Sequence, residues 1–167
     1  MRTVIEQSLI LMNNPQDYKA RSEMMWAATV AHSDMIGVGG DFGSHFLAHV
    51  VTDKYGIAHG GALAIFIPAW CRHMINYNSE RFAQFARNVW GVDDCTNLGA
   101  AYKSIESVEK FITELGLPLT ITEAGFADCD HELLTEKAMT SYSVIGGAFK
   151  RVEKTDALEI YKIACSR

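Results

Sequence analysis

Basic charge, paired cysteines, hairpin turns and long apolar runs are all scarce in this sequence. Lys and Arg number 15 against 20 Asp and Glu, and the net charge of −5 leaves no basic face for nucleic acid or for anionic lipid. Neither is an expected partner. The four cysteines, Cys71, Cys95, Cys129 and Cys165, form no CxxC pair, and no signal peptide is recognisable. They are expected to be reduced thiols of a cytoplasmic protein. The longest apolar run, GGALAIFIPAW at 60–70, contains Pro68 and is about half of the ~20 residues that cross a bilayer, so a buried helix is expected rather than a membrane span. No Asn-Gly-type turn separates alternating runs, which argues against hairpins and sheet. Internal repeats, linkers and low-complexity tracts are missing as well.

What is present is helical. With 167 residues, 49% of them hydrophobic, the chain reads as one domain able to bury a core without metal or disulfide. Apolar residues recur every three or four positions, so the expected fold class is all-α, a multi-helix bundle. A first helix is expected over RTVIEQSLILMN. A second starts at Pro15, has an acidic first turn and runs to the glycines of GVGGD at 37–41. Asp41 is the expected N-cap of FGSHFLAHVVTDKY, which Gly56 ends. The next helix starts near His59, with Pro68 bending or breaking it. Ser79 is the expected cap of ERFAQFARNVW, closed by Gly91. The stripe at 98, 101, 102, 105, 108, 111, 112 and 115 marks an amphipathic helix ending at Gly116. LTITEAG reads as an extended connector, DHELLTEKAMTS as a short helix, VIGGAFKRV as a loop, and TDALEIYKIACS as a closing helix capped by Thr155.

The segment HFLAHVVTDKYGIAHGG at 45–61 carries three histidines. His45 and His49 are four apart, hence on one face of a helix, where two imidazoles can share a metal or line one cavity. An isolated HxxxH is also a common arrangement for two half-buried histidines bonded to carbonyls. His59 shifts that balance, because the chain must turn after Asp53-Lys54-Tyr55-Gly56 and can bring His59 back beside His45. Neutral imidazoles bind a divalent ion through one nitrogen while the other donates outward, and a carboxylate commonly completes such a site. Asp41 is the nearby candidate, although an N-cap uses its oxygens on backbone amides.

GVGGDFG lacks the preceding strand of a dinucleotide fingerprint, so close helix packing explains its glycines better than phosphate binding. His73 and His131 are expected to be solvated or structural, with His32 less certain. Trp26, Trp70 and Trp90 are expected in the core, since no basic residues interleave with them.

MMWAATVAHSDMIG, DFGSHFLAHVVTDKYGIAHGGALAIFIPAW and IGGAFKRVEKTDALEIYKIA occur in this order along nearly the whole chain. Together they resemble the C-terminal helical domain of the iron-containing alcohol dehydrogenases, in particular the NAD(P)H-dependent butanol dehydrogenase branch. The resemblance implies two metal-ligand histidines fourteen residues apart, falling on His45 and His59. His49 then stands on the cofactor side of the cleft and is implicated in proton handling, as the catalytic residue of the segment. It also implies Fe2+, or Zn2+ or another divalent metal, with NAD(P)H in the complete enzyme and a small aldehyde or alcohol as substrate. The family's remaining ligands, an Asp and a His four apart, and its phosphate-binding glycines belong to regions without a counterpart here. Some members carry a histidine where this chain has Tyr55.

The expectation is therefore a single helical metal-site domain over 1–167, with the N-terminal α/β dinucleotide-binding domain absent, supplying part of the metal site and one wall of the cleft. By itself the chain is expected to be a poor catalyst or none, to need the missing domain or chain as partner, and to form a homo-oligomer. The alternatives are a non-catalytic helical oligomerisation or binding module, and a small stand-alone metal-binding protein using Asp41, His45 and His59.

Overall fold

The computed structural model describes residues 1–33, 35, 39–92 and 96–166. Gly37 and Val38 of the expected glycine turn, and Cys95, lie outside them. The described residues form eight helices: α1 (Arg2–Asn13), α2 (Tyr18–His32), α3 (Gly43–Tyr55), α4 (His59–Met74), α5 (Ser79–Phe85), α6 (Asn97–Glu114), α7 (His131–Ser141) and α8 (Lys154–Cys165). A π-helical turn, Ala86–Trp90, continues α5. The described residues form no strand beyond one isolated bridge between Gly146 and Arg151. The all-α expectation is met.

Several helices begin where a side-chain oxygen can reach an orphan amide, and this moves three expected starts. The second helix starts at Tyr18 rather than Pro15, capped by Asp17, which accepts from the Ala20 N–H at 2.8 Å. Asn78 replaces Ser79 as the cap of α5. Glu153 replaces Thr155 at α8, where the Asp156 carboxylate accepts the Glu153 N–H at 2.9 Å. The ends are as expected: Gly56 and Gly91 both take the left-handed conformation at φ 69°. Pro68 does not end α4, which runs through it. Its ring is buried, and the packing of α4 on α3, α6 and α8 outweighs the missing N–H. LTITEAG is not extended. It forms turns in which the Ile121 N–H and the Thr122 hydroxyl satisfy the carbonyls of Ala164 and Cys165 at the end of α8.

The core sits around α4. Leu47 and Val51 of α3, Ile65 and Phe66 of α4, Ile105 of α6 and Ile160 of α8 are all essentially inaccessible. Tyr161 is buried with them, its hydroxyl donating to the Leu47 carbonyl at 3.0 Å, and burial pushes its pKa far up. The α6 stripe is rotated from the expected one: Ala100, Ala101, Ser104, Ile105 and Ile112 are buried, while Leu98 and Tyr102 lie exposed at its edge. The hairpin of α1 and α2 packs against itself and buries only Ala20. Trp26, expected in the core, is 59% exposed there. Trp70 does pack inward, against Phe82 and Phe149, and Trp90 packs against Phe85 and Phe111.

The thiol expectation needs correction. Cys129, ahead of α7, and Cys165, at the end of α8, are joined by a disulfide with a Cα–Cα distance of 5.5 Å. Their backbones are held together by α7 packing on α8, which spacing along the chain does not reveal. The inference of a cytoplasmic location from free thiols loses its basis. Cys71 is a free thiol that burial pushes up to about 12. No helix among the described residues is long and apolar enough to cross a membrane.

Candidate metal centre

Two helices and one glycine build the site. His45 and His49 lie one turn apart on α3, whose buried face of Leu47, Ala48, Val50 and Val51 fixes its rotation against the core. Gly56 reverses the chain, and α4 returns alongside α3 with His59 as its first residue. One nitrogen from each of His45, His49 and His59 then lies within 4.8 Å of the others. The ring centroids are 5.7 Å apart for His45 and His49, 4.9 Å for His45 and His59, and 4.8 Å for His49 and His59. All three are half-buried.

Electrostatics favours the neutral form of His45. Partial burial lowers the His45 pKa from the usual histidine value, and His59, His49 and His32 lower it further as neighbouring like charges. A neutral imidazole presents a lone pair, the form a metal needs. Two nitrogens on one zinc-sized ion lie up to ~4 Å apart, given metal–nitrogen distances of ~2.0–2.1 Å, so small ring rotations bring the trio into range. An all-nitrogen set suits zinc, iron, copper or nickel and not magnesium or calcium. No carboxylate shares the cluster among the described residues.

Asp41 does not join it. Its Oδ1 accepts the Gly43 N–H at 2.8 Å, and its Oδ2 accepts those of Phe149 at 2.8 Å and Gly147 at 3.1 Å. Phe42 is the N-cap residue, without a side-chain bond of its own. Asp41 is therefore a clamp between the first turn of α3 and the loop before α8. Its three amides oppose its use in a stand-alone metal site. Tyr55, at the end of α3, donates to the Asp128 carbonyl, away from the cluster. His73 is structural, bonding Asp156 at 2.8 Å.

One neighbour escaped sequence reasoning. The Tyr142 hydroxyl, just past the end of α7, lies 3.2 Å from His49 Nδ1. Its ring packs on Phe46 at 4.7 Å between centroids. Separated by 93 positions, Tyr142 and His49 carry no shared local pattern. Beside them opens a cleft of about 550 Å³, lined by His49, Thr52, Lys54, Lys137, Ser141 and Tyr142.

Known proteins share this arrangement of helices. NADH-dependent butanol dehydrogenase A of Clostridium acetobutylicum is 30% identical over 166 residues, 97% of this chain and 43% of that protein. Probable NADH-dependent butanol dehydrogenase 1 of Bacillus subtilis is 33% identical over 97% of this chain and 42% of its own length. Among solved structures, NADH-dependent butanol dehydrogenase A of Thermotoga maritima superposes with a TM-score of 0.91 at 27% identity, over 99% of this chain and 44% of that one. The substrate- and cofactor-free aldehyde reductase YqhD of Escherichia coli gives 0.89 at 26% identity, over 97% and 43%. The chain thus spans less than half the length of these relatives. The model of the Fe-containing alcohol dehydrogenase family, C-terminal part, matches residues 1–165, and the chain belongs to that family as its C-terminal helical domain.

Proposed function

We propose that this chain is the metal-site half of an NAD(P)H-linked alcohol dehydrogenase or aldehyde reductase, with His45 and His59 as metal ligands and His49 facing cofactor and substrate. The convergence of the three histidines at the junction of α3 and α4 is the observation that carries this reading. A bound divalent ion, iron or zinc, supplies Lewis-acid polarisation of a small aldehyde's oxygen. The chain's own residues orient and protect. His45 and His59 present ring nitrogens, and Phe42 and Phe46 pack against the rings of His45 and His49 and orient them. In this reading His49 gives a proton to the alkoxide oxygen on reduction and takes it back from the alcohol on oxidation. Two ligands without a carboxylate hold an ion weakly, so the remaining ligands and the dinucleotide-binding wall come from an N-terminal domain that these residues do not include.

Reductase assays with NADH or NADPH, butyraldehyde and added iron or zinc test this reading. The chain alone should show little turnover, and activity should appear when a family N-terminal domain is supplied. Robust turnover by the 167 residues alone would overturn it.

A second reading, a helical oligomerisation module, is favoured by the α1–α2 hairpin, which exposes Tyr18, Met25 and Trp26 at 85%, 73% and 59%. Light scattering would then show a homo-oligomer whose assembly is lost in Trp26→Asp and is unaffected by metal.

A further inference from the structure

We infer that Tyr142 is a positioning residue that sets the orientation and tautomer of His49, an assignment that rests on the reading of His49 as the residue facing cofactor and substrate. A histidine on a helix surface is free to rotate about its side-chain bonds and to carry its proton on either nitrogen. Two of its neighbours here, His45 and His59, are themselves imidazoles and impose no single tautomer. Tyr142 does. A phenol is a much stronger acid than a neutral imidazole N–H, and an imidazole nitrogen is a better acceptor than a phenol oxygen. The hydroxyl, 3.2 Å from Nδ1, therefore donates to the bare nitrogen and leaves the proton on Nε2. Nε2 is then the nitrogen left to act in the site.

The support for Tyr142 is rigid. Its ring packs on Phe46, which stands on α3 between His45 and His49 in sequence and lies 6.3 Å from the His49 ring. Its backbone N–H bonds to the Ala138 carbonyl, closing the last turn of α7, and α7 packs on α3. The hydroxyl is thus delivered to His49 by a helix end rather than by a free loop. A side chain held this way keeps a reacting group in geometry without touching substrate itself.

Ring-nitrogen chemical shifts of the three histidines in the full chain, measured well above the ordinary histidine pKa of about 6.5, test the assignment. In the unmodified chain His49 should show one dominant tautomer. Tyr142→Phe keeps the ring on Phe46 and removes only the hydroxyl. It should turn His49 into a mixture of both tautomers, with His45 and His59 unchanged and the thermal midpoint retained. A His49 signal already mixed in the unmodified chain, or unaltered by Tyr142→Phe, overturns the proposal. Zinc titration of the same variant separates it from the parent reading. Unchanged zinc affinity with an altered tautomer supports both. A fall in zinc affinity together with an altered tautomer keeps Tyr142 as the positioning residue and makes His49 a ligand.

Discussion

At the residue scale, His45, His49 and His59 lie almost equally far apart, so their roles separate by measurement rather than by distance. Zinc calorimetry on the chain should show His59→Ala losing at least tenfold in affinity, while His49→Ala is spared; equal losses would make all three ligands. Because burial and its neighbours lower the His45 pKa, protons compete less for this imidazole than for an ordinary histidine, and zinc bound through it should be retained to a lower pH than two ordinary histidines allow. A charged centre away from these three histidines stabilises the fold. Asp156, 4% exposed, accepts from Tyr77 at 2.9 Å and His73 at 2.8 Å, and also from Lys150 and the Glu153 N–H. Burial would raise its pKa, but these donors overcome that and hold it well below the carboxylate range. Its contribution is present above the unfolded carboxyl pKa of about 3.9 and is lost as pH falls below it, because the unfolded chain then takes up the proton first. Asp156→Ala should destabilise the chain by about 3 kcal/mol in urea unfolding at pH 7 and flatten the acid limb of the stability profile.

At the element scale, much was legible. Five of the helix assignments follow directly from 3.6-residue periodicity ended by glycine or capped by Asp or Asn, and α4 continues through Pro68 without the break that was one of its two expected effects. Periodicity reports a helix's apolar face, but a cap depends on which oxygen reaches which amide, so Ser79 and Thr155 lost to Asn78 and Glu153 by a residue or two. His45 and His49 were pairable because one turn of α3 fixes their geometry. The third histidine needed the reversal at Gly56, which the sequence also signals. Tyr142 and the Asp41 clamp were not legible, since each joins elements about a hundred positions apart. The tight point in the site's scaffold is Gly43. A Cβ there would lie 2.7 Å from Trp70 Nε1, 2.9 Å from Asp41 Oδ1 and 3.3 Å from a Val152 methyl. Gly43→Ala should therefore cost about 1–3 kcal/mol despite its better helix propensity, whereas Gly60→Ala, with open space around it, should not; thermal melts of the two variants make the comparison.

For the whole molecule, the disulfide and the hairpin define the extremes of stability. Cys129–Cys165 closes a loop of sequence separation 36, for which chain entropy gives about 4 kcal/mol. Dithiothreitol or Cys165→Ser should lower the thermal midpoint accordingly, and intact-mass measurement before and after reduction should differ by two hydrogens for that pair; no change in either would leave both thiols free. The α1–α2 hairpin is held mostly by its own two helices, so its amides should exchange well before those of α4.

The Asp41 clamp also has a consequence in time. Asp41 and the Phe149 N–H that donates to it are 108 positions apart, so at ~5–20 residues per second a ribosome delivers the second roughly 5–20 s after the first. Through that interval the segment bearing His45 and His49 lacks its tie to the loop before α8. The histidine-bearing segment is therefore made well before the loop that ties it down.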